Sequence, residues 1–174
     1  RSVSRGLGDV YKRQAIFSLL FAPQKGYVAR FWSKRKYRLK MLEENVLKIF
    51  YHLGEKNGAF ETKRKIADLQ KQRALSTIEM QKGLQRLVKK SLISAINKNE
   101  FQLTKIGETK AKRLVRIHRL WEVYLSKHLN IAADHVHNDA EAMEHLITPE
   151  LEKELEQFLN YPTADPHNKI IPYE

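Results

Sequence analysis

The chain has 174 residues, is 42% hydrophobic and can bury one modest core or two small ones. It contains no cysteine, which excludes disulfide scaffolds, cysteine-ligated zinc fingers and iron–sulfur sites, so any metal site must use imidazole and carboxylate ligands. The net charge of +12 is uneven: residues 1–40 contain 11 Lys and Arg against one acid, whereas residues 118–174 contain four against 11. The basic part favours nucleic acid or an anionic membrane face as partner, and the acidic end favours a cation.

The beginning of the chain differs in character from the rest. Residues 1–14 are polar and aperiodic, which predicts a non-native, adaptor-derived tail; a disordered native tail is the alternative. The apolar run at 15–22 is shorter than the roughly 20 residues that span a bilayer. A proline and a basic-aromatic stretch at 30–38 follow it, so residues 15–38 are predicted to be the end of a membrane helix and its basic cytoplasmic linker. The alternative is an amphipathic arm that packs on the domain.

Residues 39–107 show the pattern of three helices and a β-hairpin. The spacing of apolar residues predicts helices at 39–52, 63–72 and 77–90, with Gly54 and Gly58 closing the first and Ser76 capping the third. Weak alternation at 92–96 and 101–104, around turn-forming residues, predicts the hairpin. This order is typical of a winged helix-turn-helix.

Residues 108–174 are predicted to form an all-helical domain, so the fold class is mostly α. Helices are expected at 108–128, 139–146 and 148–159. Thr148, Pro149 and Glu150 supply a cap, a proline at the first helical position and an acid in the first turn. No repeat or low-complexity segment is found.

Histidine and glutamate recur at helical spacing in the acidic end. Glu141, Glu144 and His145 fall on one helix face, and His118 and Glu122 share a face for the same reason. Two carboxylates three residues apart repel each other unless a cation lies between them, and carboxylate with neutral imidazole is a natural metal-ligand set. The alternative is a solvated acidic helix whose histidines are satisfied within the protein.

The third predicted helix carries side chains suited to DNA phosphates and base edges: Gln81, Lys82, Gln85, Arg86 and Lys89. Two residues argue against efficient DNA binding. Glu79 places a negative charge at the helix start, where a phosphate would dock, and Gly83 lowers helix stability by roughly 1 kcal/mol. The alternative is a solvated face, or a face on anionic lipid.

Three motifs, in order, resemble the iron- and manganese-dependent repressor family, the diphtheria-toxin-repressor type. The sequence H-R-L-W-E at 118–122 resembles its H-R-L-x-E, and V-H-N-D-A-E-A-M-E-H at 136–145 resembles its V-H-x-x-A-[CE]-x-x-E-H. Residues 162–172 resemble its P-T-x-x-P-x-G-x-P-I-P end. The resemblance covers residues 39–172.

The resemblance implies two metal sites and a homodimer. One site would use His118, Glu122 and His137; the other would use Glu141, Glu144, His145 and, from the first helix, Glu44. Leu47 stands where manganese-type members carry a further acid, so the second site is expected to be incomplete or completed by water. The implied ion is Mn(II) or Fe(II), with Zn(II) as a further candidate, and the dimer would form through the helices around 108–127 and 148–159.

A shorter resemblance concerns the segment before the winged helix. Residues 19–26, the basic run after them and residues 43–47 resemble the end of the last membrane helix of manganese, zinc and iron ABC-transporter permeases. Some of these permeases carry a repressor-like domain at the C-terminus, with the H-R-L-W-E-x-Y-L wording found at 118–125.

Two functions follow from the resemblances. The first is a cytosolic metal-sensing module at the inner face of a bacterial cell membrane, attached to an upstream permease segment and working with the transporter's ATP-binding subunit. The alternative is a free cytoplasmic, metal-dependent DNA-binding repressor. An enzyme is not expected, because the sequence has neither a glycine-rich phosphate loop nor a nucleophile motif.

Overall fold

The computed structural model describes residues 27–73, 75–129, 131–132, 136–145 and 147–173, without the side chains of residues 27, 29, 137, 138 and 142. The predicted tail at 1–14 and the predicted membrane-helix end at 15–22 lie outside these residues. The chain divides into two compact units, Arg1–Met41 and Leu42–Glu174. Within the described ranges, no helix is both long enough and apolar enough to cross a membrane.

Helix α1 spans Tyr27–Asn57 and is longer than predicted at both ends. The basic stretch predicted to be a linker is helical, and Phe31 and Trp32 on it are 63% and 64% exposed. Gly54 was predicted to close the helix but lies within it. A Cβ at this position would lie 2.3 Å from the ring of Phe60, so the ring can pack against the helix only because residue 54 has no side chain. Gly58, with φ of +63°, follows the helix end as predicted.

Helices α2 (Ile66–Gln72) and α3 (Thr77–Lys89) follow. Ser76 caps α3 as predicted, and its side chain and the Glu79 side chain bond each other's backbone N–H groups in a capping box. The Glu79 carboxylate therefore caps the start of its own helix. The predicted helix at 63–72 is wrong at its beginning, where Arg64–Lys65 form strand β1.

The hairpin is confirmed. Strand β2 (Ile93–Ala95) pairs antiparallel with β3 (Glu100–Leu103), and β1 pairs with the other edge of β3, giving the order β1-β3-β2. The register places Ile93 opposite Leu103 and Arg64 opposite Phe101. A buried Arg64 explains the extra strand, because its guanidinium donates to the carbonyls of Leu53 at 3.1 Å and Ala59 at 3.0 Å and so fixes the extended backbone.

The remaining helices are α4 (Lys105–His128), α5 (Val136–Glu144) and α6 (Pro149–Phe158). Helix α4 begins a turn earlier than predicted because Thr104 caps it. It also joins two hydrophobic cores. Ala111, Leu114 and Val115 pack with α1, α3 and the hairpin, whereas Leu120 and Trp121 pack with α5, α6 and the end of the chain. The predicted mostly α fold, a winged helix followed by a helical domain, is confirmed.

Gly83 has a packing role. It is buried on α3, and a Cβ there would stand 2.8 Å from Cγ2 of Val46, so the absent side chain lets α3 approach α1 closely. The sequence interpretation of Gly83 as a weakness of a DNA-reading helix was therefore incomplete.

Arg119, next to His118 on α4, is 2% exposed and connects three parts of the fold. Both its terminal nitrogens lie 2.8 Å from the carboxylate oxygens of Glu55 on α1. It also donates to the carbonyl of Ile170, and its Nε lies 3.5 Å from the buried carboxylate of Asp165. The guanidinium thus fixes α1 and the end of the chain against the middle of α4.

We predict that Arg119→Lys destabilises the protein. A lysine keeps the charge but cannot satisfy Glu55, Asp165 and the Ile170 carbonyl together, and partly broken buried pairs cost about 3–5 kcal/mol. Urea unfolding followed by circular dichroism measures the loss. The matched control is Arg113→Lys on the same helix: Arg113 is 45% exposed, and its partner Glu152 keeps a second bond from Arg116. That control should lose less than about 1 kcal/mol, and equal losses in the two variants would contradict the assignment.

Candidate metal site

Side chains from α1, α4 and α5 meet in a buried polar cluster. Helix α4 contributes His118 and Glu122, one turn apart, and α5 ends with Glu144, followed at once by His145. Helix α1 contributes Glu44. All five of these predicted ligands are buried, so they are not on a solvated face, whereas both histidines are hydrogen-bonded within the protein, as the alternative interpretation expected.

Glu144 is the centre of the cluster. Its Oε2 lies 2.6 Å from Nδ1 of His118, and its Oε1 accepts a hydrogen bond from the ammonium group of Lys48. Burial raises the pKa of Glu144, but the His118 hydrogen bond and the Lys48 charge lower it by more, so the pKa is below its ordinary value. Glu144 is therefore a carboxylate held by two other helices.

His118 joins Glu144 to Glu122. Its Nδ1–H donates to Glu144, and its Nε2 lies 3.4 Å from Oε1 of Glu122. Burial lowers the pKa of His118, whereas hydrogen bonds to Glu122 and Glu144 raise it, and the net pKa is above the ordinary value. A histidine whose one ring nitrogen is held by a carboxylate presents the other in a fixed direction, which is the usual arrangement of a metal-ligating imidazole.

A second carboxylate–imidazole pair lies beside the first. Nδ1 of His145 is 2.5 Å from Oε2 of Glu44, and its Nε2 is 3.5 Å from Oε1 of Glu144. This pair connects the first helix of the winged helix directly to the end of α5.

A further predicted ligand, Glu141, is paired with another part of the fold. Glu141 is ion-paired with Arg73, which follows α2. Burial raises the pKa of Glu141, but the Arg73 hydrogen bond and the charges of Arg73 and Lys48 together lower it by more, so the pKa is below its ordinary value. His137 lies in α5, but its side chain is outside the described residues.

A cavity of about 940 Å³ opens beside the cluster. His118, Glu122 and Glu141 line it, together with His167 from the end of the chain, whose Nε2 is 4.0 Å from Oε1 of Glu122. Asp165 accepts from the backbone N–H groups of His167 and Lys169 at 2.8 and 2.9 Å and so holds this segment in place.

Carboxylate oxygens and imidazole nitrogens are suitable ligands for a hard divalent cation, and the distance between the donor atoms of one pair also fits a shared ion. Two donors each about 2.1 Å from one ion lie roughly 3.0–3.4 Å apart, which matches His118 Nε2 and Glu122 Oε1. Among the side chains that the structure describes, no three His, Asp or Glu residues are arranged as ligands of one ion. Lys48 and Arg73 are ion-paired with Glu144 and Glu141, two of the predicted ligands of the second site.

Sequence reasoning missed these two basic partners. Lys48 follows Glu44 by four residues and so shares its helix face, a spacing that could have indicated it. Arg73 and Glu141 are far apart in sequence, and no local signal joins them.

The predicted DNA-contacting residues lie on α3 in two groups. Gln81, Lys82, Gln85 and Lys89 are exposed. Arg86 is instead ion-paired with the buried Glu43 of α1, which also binds Lys90. Part of the basic charge on this helix is thus neutralised within the protein.

Comparison with known proteins gives the following matches. Residues 104–173 match the family described as the iron-dependent repressor, metal binding and dimerisation domain. The probable metal transport system membrane protein of Chlamydia trachomatis is 35% identical over 160 residues, 88% of this chain and 34% of that protein. The iron-dependent repressor IdeR of Mycobacterium leprae is 28% identical over 129 residues, 74% of this chain and 54% of the repressor. The chain therefore spans about a third of the transport relative and about half of the repressor.

A solved structure extends the match to the fold. The manganese regulator SloR is 34% identical with a TM-score of 0.66, over 75% of this chain and 59% of that one. The similarity includes the winged helix as well as the helical domain, because the matched share exceeds the 70 residues of the family match. The chain thus belongs to the diphtheria-toxin-repressor-like family of metal-dependent regulators, and residues 104–173 are its domain of the iron-dependent-repressor, metal-binding and dimerisation type.

Proposed function

We propose that the chain is the metal-sensing module of a divalent-metal ABC-transporter permease, acting on the cytoplasmic side of the membrane. The observation that carries this proposal is the 88% coverage by the chlamydial metal transport protein, against 74% by the repressor IdeR. An alignment over 88% of the chain must include residues before residue 39, where the predicted winged helix begins. The family and fold are those of regulators and not of enzymes.

The ion is Mn(II) or Fe(II), with Zn(II) as a further candidate, held at His118 and Glu122. Support comes from the 3.4 Å spacing of their donor atoms, from burial, and from the carboxylate of Glu144 that orients His118. His137 remains the predicted third ligand. The imidazole–carboxylate set suits these metals better than soft ones.

Metal occupancy would reach the winged helix through Glu144. This carboxylate binds His118 with one oxygen and Lys48 of α1 with the other. An ion that fixes His118 therefore also stabilises the contact between α5 and α1, and intracellular metal would modulate transport by this route. The partners are a second copy of the chain and the transporter's ATP-binding subunit; exposed Leu151 and Phe158 on α6 support a homodimer.

We predict that the full chain binds Mn(II) saturably in isothermal titration calorimetry. His118→Ala and Glu122→Gln should abolish this binding because each removes a ligand. Glu144→Gln should weaken it about 10–100-fold, since it removes only the charge that orients His118. Fe(II), under anaerobic conditions, and Zn(II) are titrated in parallel.

The matched control is Glu154→Gln, which removes one acid from the exposed face of α6 and should bind as the parent does. Circular dichroism establishes that each variant is folded. Absence of a saturable site for all three metals, or equal weakening by Glu154→Gln, would disprove the proposed site.

A second candidate function is a free metal-dependent repressor, with metal as co-repressor of a dimer on DNA. The similarity to IdeR and SloR favours it, as do the exposed Gln81, Lys82, Gln85 and Lys89 on α3. The pairing of Arg86 and Lys90 with Glu43 weakens it, because this carboxylate offsets one of the two positive charges and holds both side chains beside α1.

We expect no metal-dependent binding to duplex DNA at physiological salt, measured by fluorescence anisotropy with pooled palindromic duplexes. If binding is found, Lys82→Ala with Lys89→Ala should reduce the salt dependence by about one phosphate contact per lysine, and the repressor becomes the function. The reading frame upstream of residue 15 gives an independent result. Several apolar spans of about 20 residues favour the permease, and an initiation codon near Met41 favours the repressor.

A further inference from the structure

The second predicted metal cluster contains a lysine. Lys48 lies one turn after Glu44 on α1, and its side chain is 6% exposed. Leu47 stands where the resemblance leads one to expect a further acidic ligand, and it is fully buried in the apolar core. Helix α1 therefore presents to α5 one carboxylate and one ammonium group.

The ammonium lies where a cation would be needed. Glu44, His145 and Glu144 form a chain of carboxylate, imidazole and carboxylate, with 2.5 Å between Glu44 Oε2 and His145 Nδ1 and 3.5 Å between His145 Nε2 and Glu144 Oε1. Lys48 donates to that same Oε1. A metal ion bound by His145 and Glu144 would have to share this oxygen with the ammonium group.

We propose that Lys48 is the built-in cation of this cluster and takes the place of a second metal ion. The chain then binds one exchangeable divalent ion, at His118 and Glu122, and the cluster of Glu44, Glu144 and His145 is closed by its own ammonium group. Buried carboxylates require a nearby positive charge, and Lys48 supplies it. A divalent ion within a few ångströms of the ammonium would be repelled strongly in a buried environment.

The proposal has a structural consequence. Lys48 and Glu44 both join α1 to the end of α5, so this contact forms without a second ion, and the ion at His118 would act by stabilising it. The expectation that the chain binds one ion, at His118 and Glu122, rests on the proposed function. The exclusion of a second ion from the cluster by Lys48 does not.

The test counts Mn(II) ions per full chain by equilibrium dialysis, in the parent, in Lys48→Gln and in Lys56→Gln. Lys48→Gln removes the ammonium, so that Glu44, Glu144 and His145 can share an ion. Lys56→Gln removes the same charge from an exposed position on the same helix. We expect one ion in the parent, two in Lys48→Gln and one in Lys56→Gln.

The other outcomes separate the two proposals. Two ions in the parent, or one in both the parent and Lys48→Gln, overturn the role of Lys48 and leave the proposed function standing. No ion in the parent but one in Lys48→Gln supports the role of Lys48 and refutes the proposed site at His118. No ion in either refutes both. A second ion in Lys56→Gln as well would reduce the effect to net charge and overturn the proposal.

A measurement on the parent protein avoids dependence on the folding of Lys48→Gln. Amine acetylation is followed residue by residue by mass spectrometry, with chelator and then with saturating Mn(II). Lys48 should be labelled far more slowly than the exposed Lys56 under both conditions. An increase in Lys48 labelling with Mn(II) would mean that the ion displaces the ammonium, and the proposal would be wrong.

Discussion

The carboxylate of Glu144 is the interaction on which this arrangement depends. It is fully buried, and a buried charge is tolerated only when it is paired and hydrogen-bonded. Its partners come from two other helices, Lys48 from α1 and His118 from α4. The need to satisfy one carboxylate thus fixes the end of α5 against both helices, and His145, the next residue, is brought within 2.5 Å of Glu44 by the same placement. The same side chains therefore fix the helical domain against the first helix of the winged helix.

Helix α1 is the element that faces both halves of the module. Two adjacent glutamates on it contact different parts of the fold. Glu43 binds Arg86 and Lys90 at the end of α3, and Glu44 binds His145 beyond α5. Successive residues on a helix point about 100° apart, so one turn of α1 contacts the predicted recognition helix on one side and the metal domain on the other. Arg119 holds the far end of the same helix through Glu55. Movement of α1 relative to α4 would therefore alter both the cluster and the position of α3.

The sequence predicted the parts of this fold that depend on local rules. Ser76, Thr104 and Thr148 cap helices by their own side chains, and the hairpin follows from turn chemistry at Asn97–Glu100; of the three caps, that of Thr104 was overlooked. Spacing placed His118 with Glu122, whereas the resemblance assigned Glu144 to a separate site, so the hydrogen bond between His118 and Glu144 was not predicted. The ion pairs of Glu144 with Lys48 and of Glu141 with Arg73 join residues 96 and 68 positions apart, and only the tertiary fold determines such pairs. Gly54 and Gly83 were misread for the same reason, since each accommodates a side chain from elsewhere, Phe60 and Val46.

The position of the basic charge also bears on what the module does. Non-specific attraction to DNA grows with the number of phosphates that cations neutralise, with a salt slope of roughly 0.9 per contact. The buried Glu43 offsets one of the two positive charges of Arg86 on α3 and Lys90 directly after it, whereas Lys82 and Lys89 remain exposed. The same ion pairs stabilise the packing of α3 on α1, where Gly83 already permits close approach. Two cations at the end of α3 therefore hold a neighbouring helix, so a change in the position of α1 would reach α3 through Glu43.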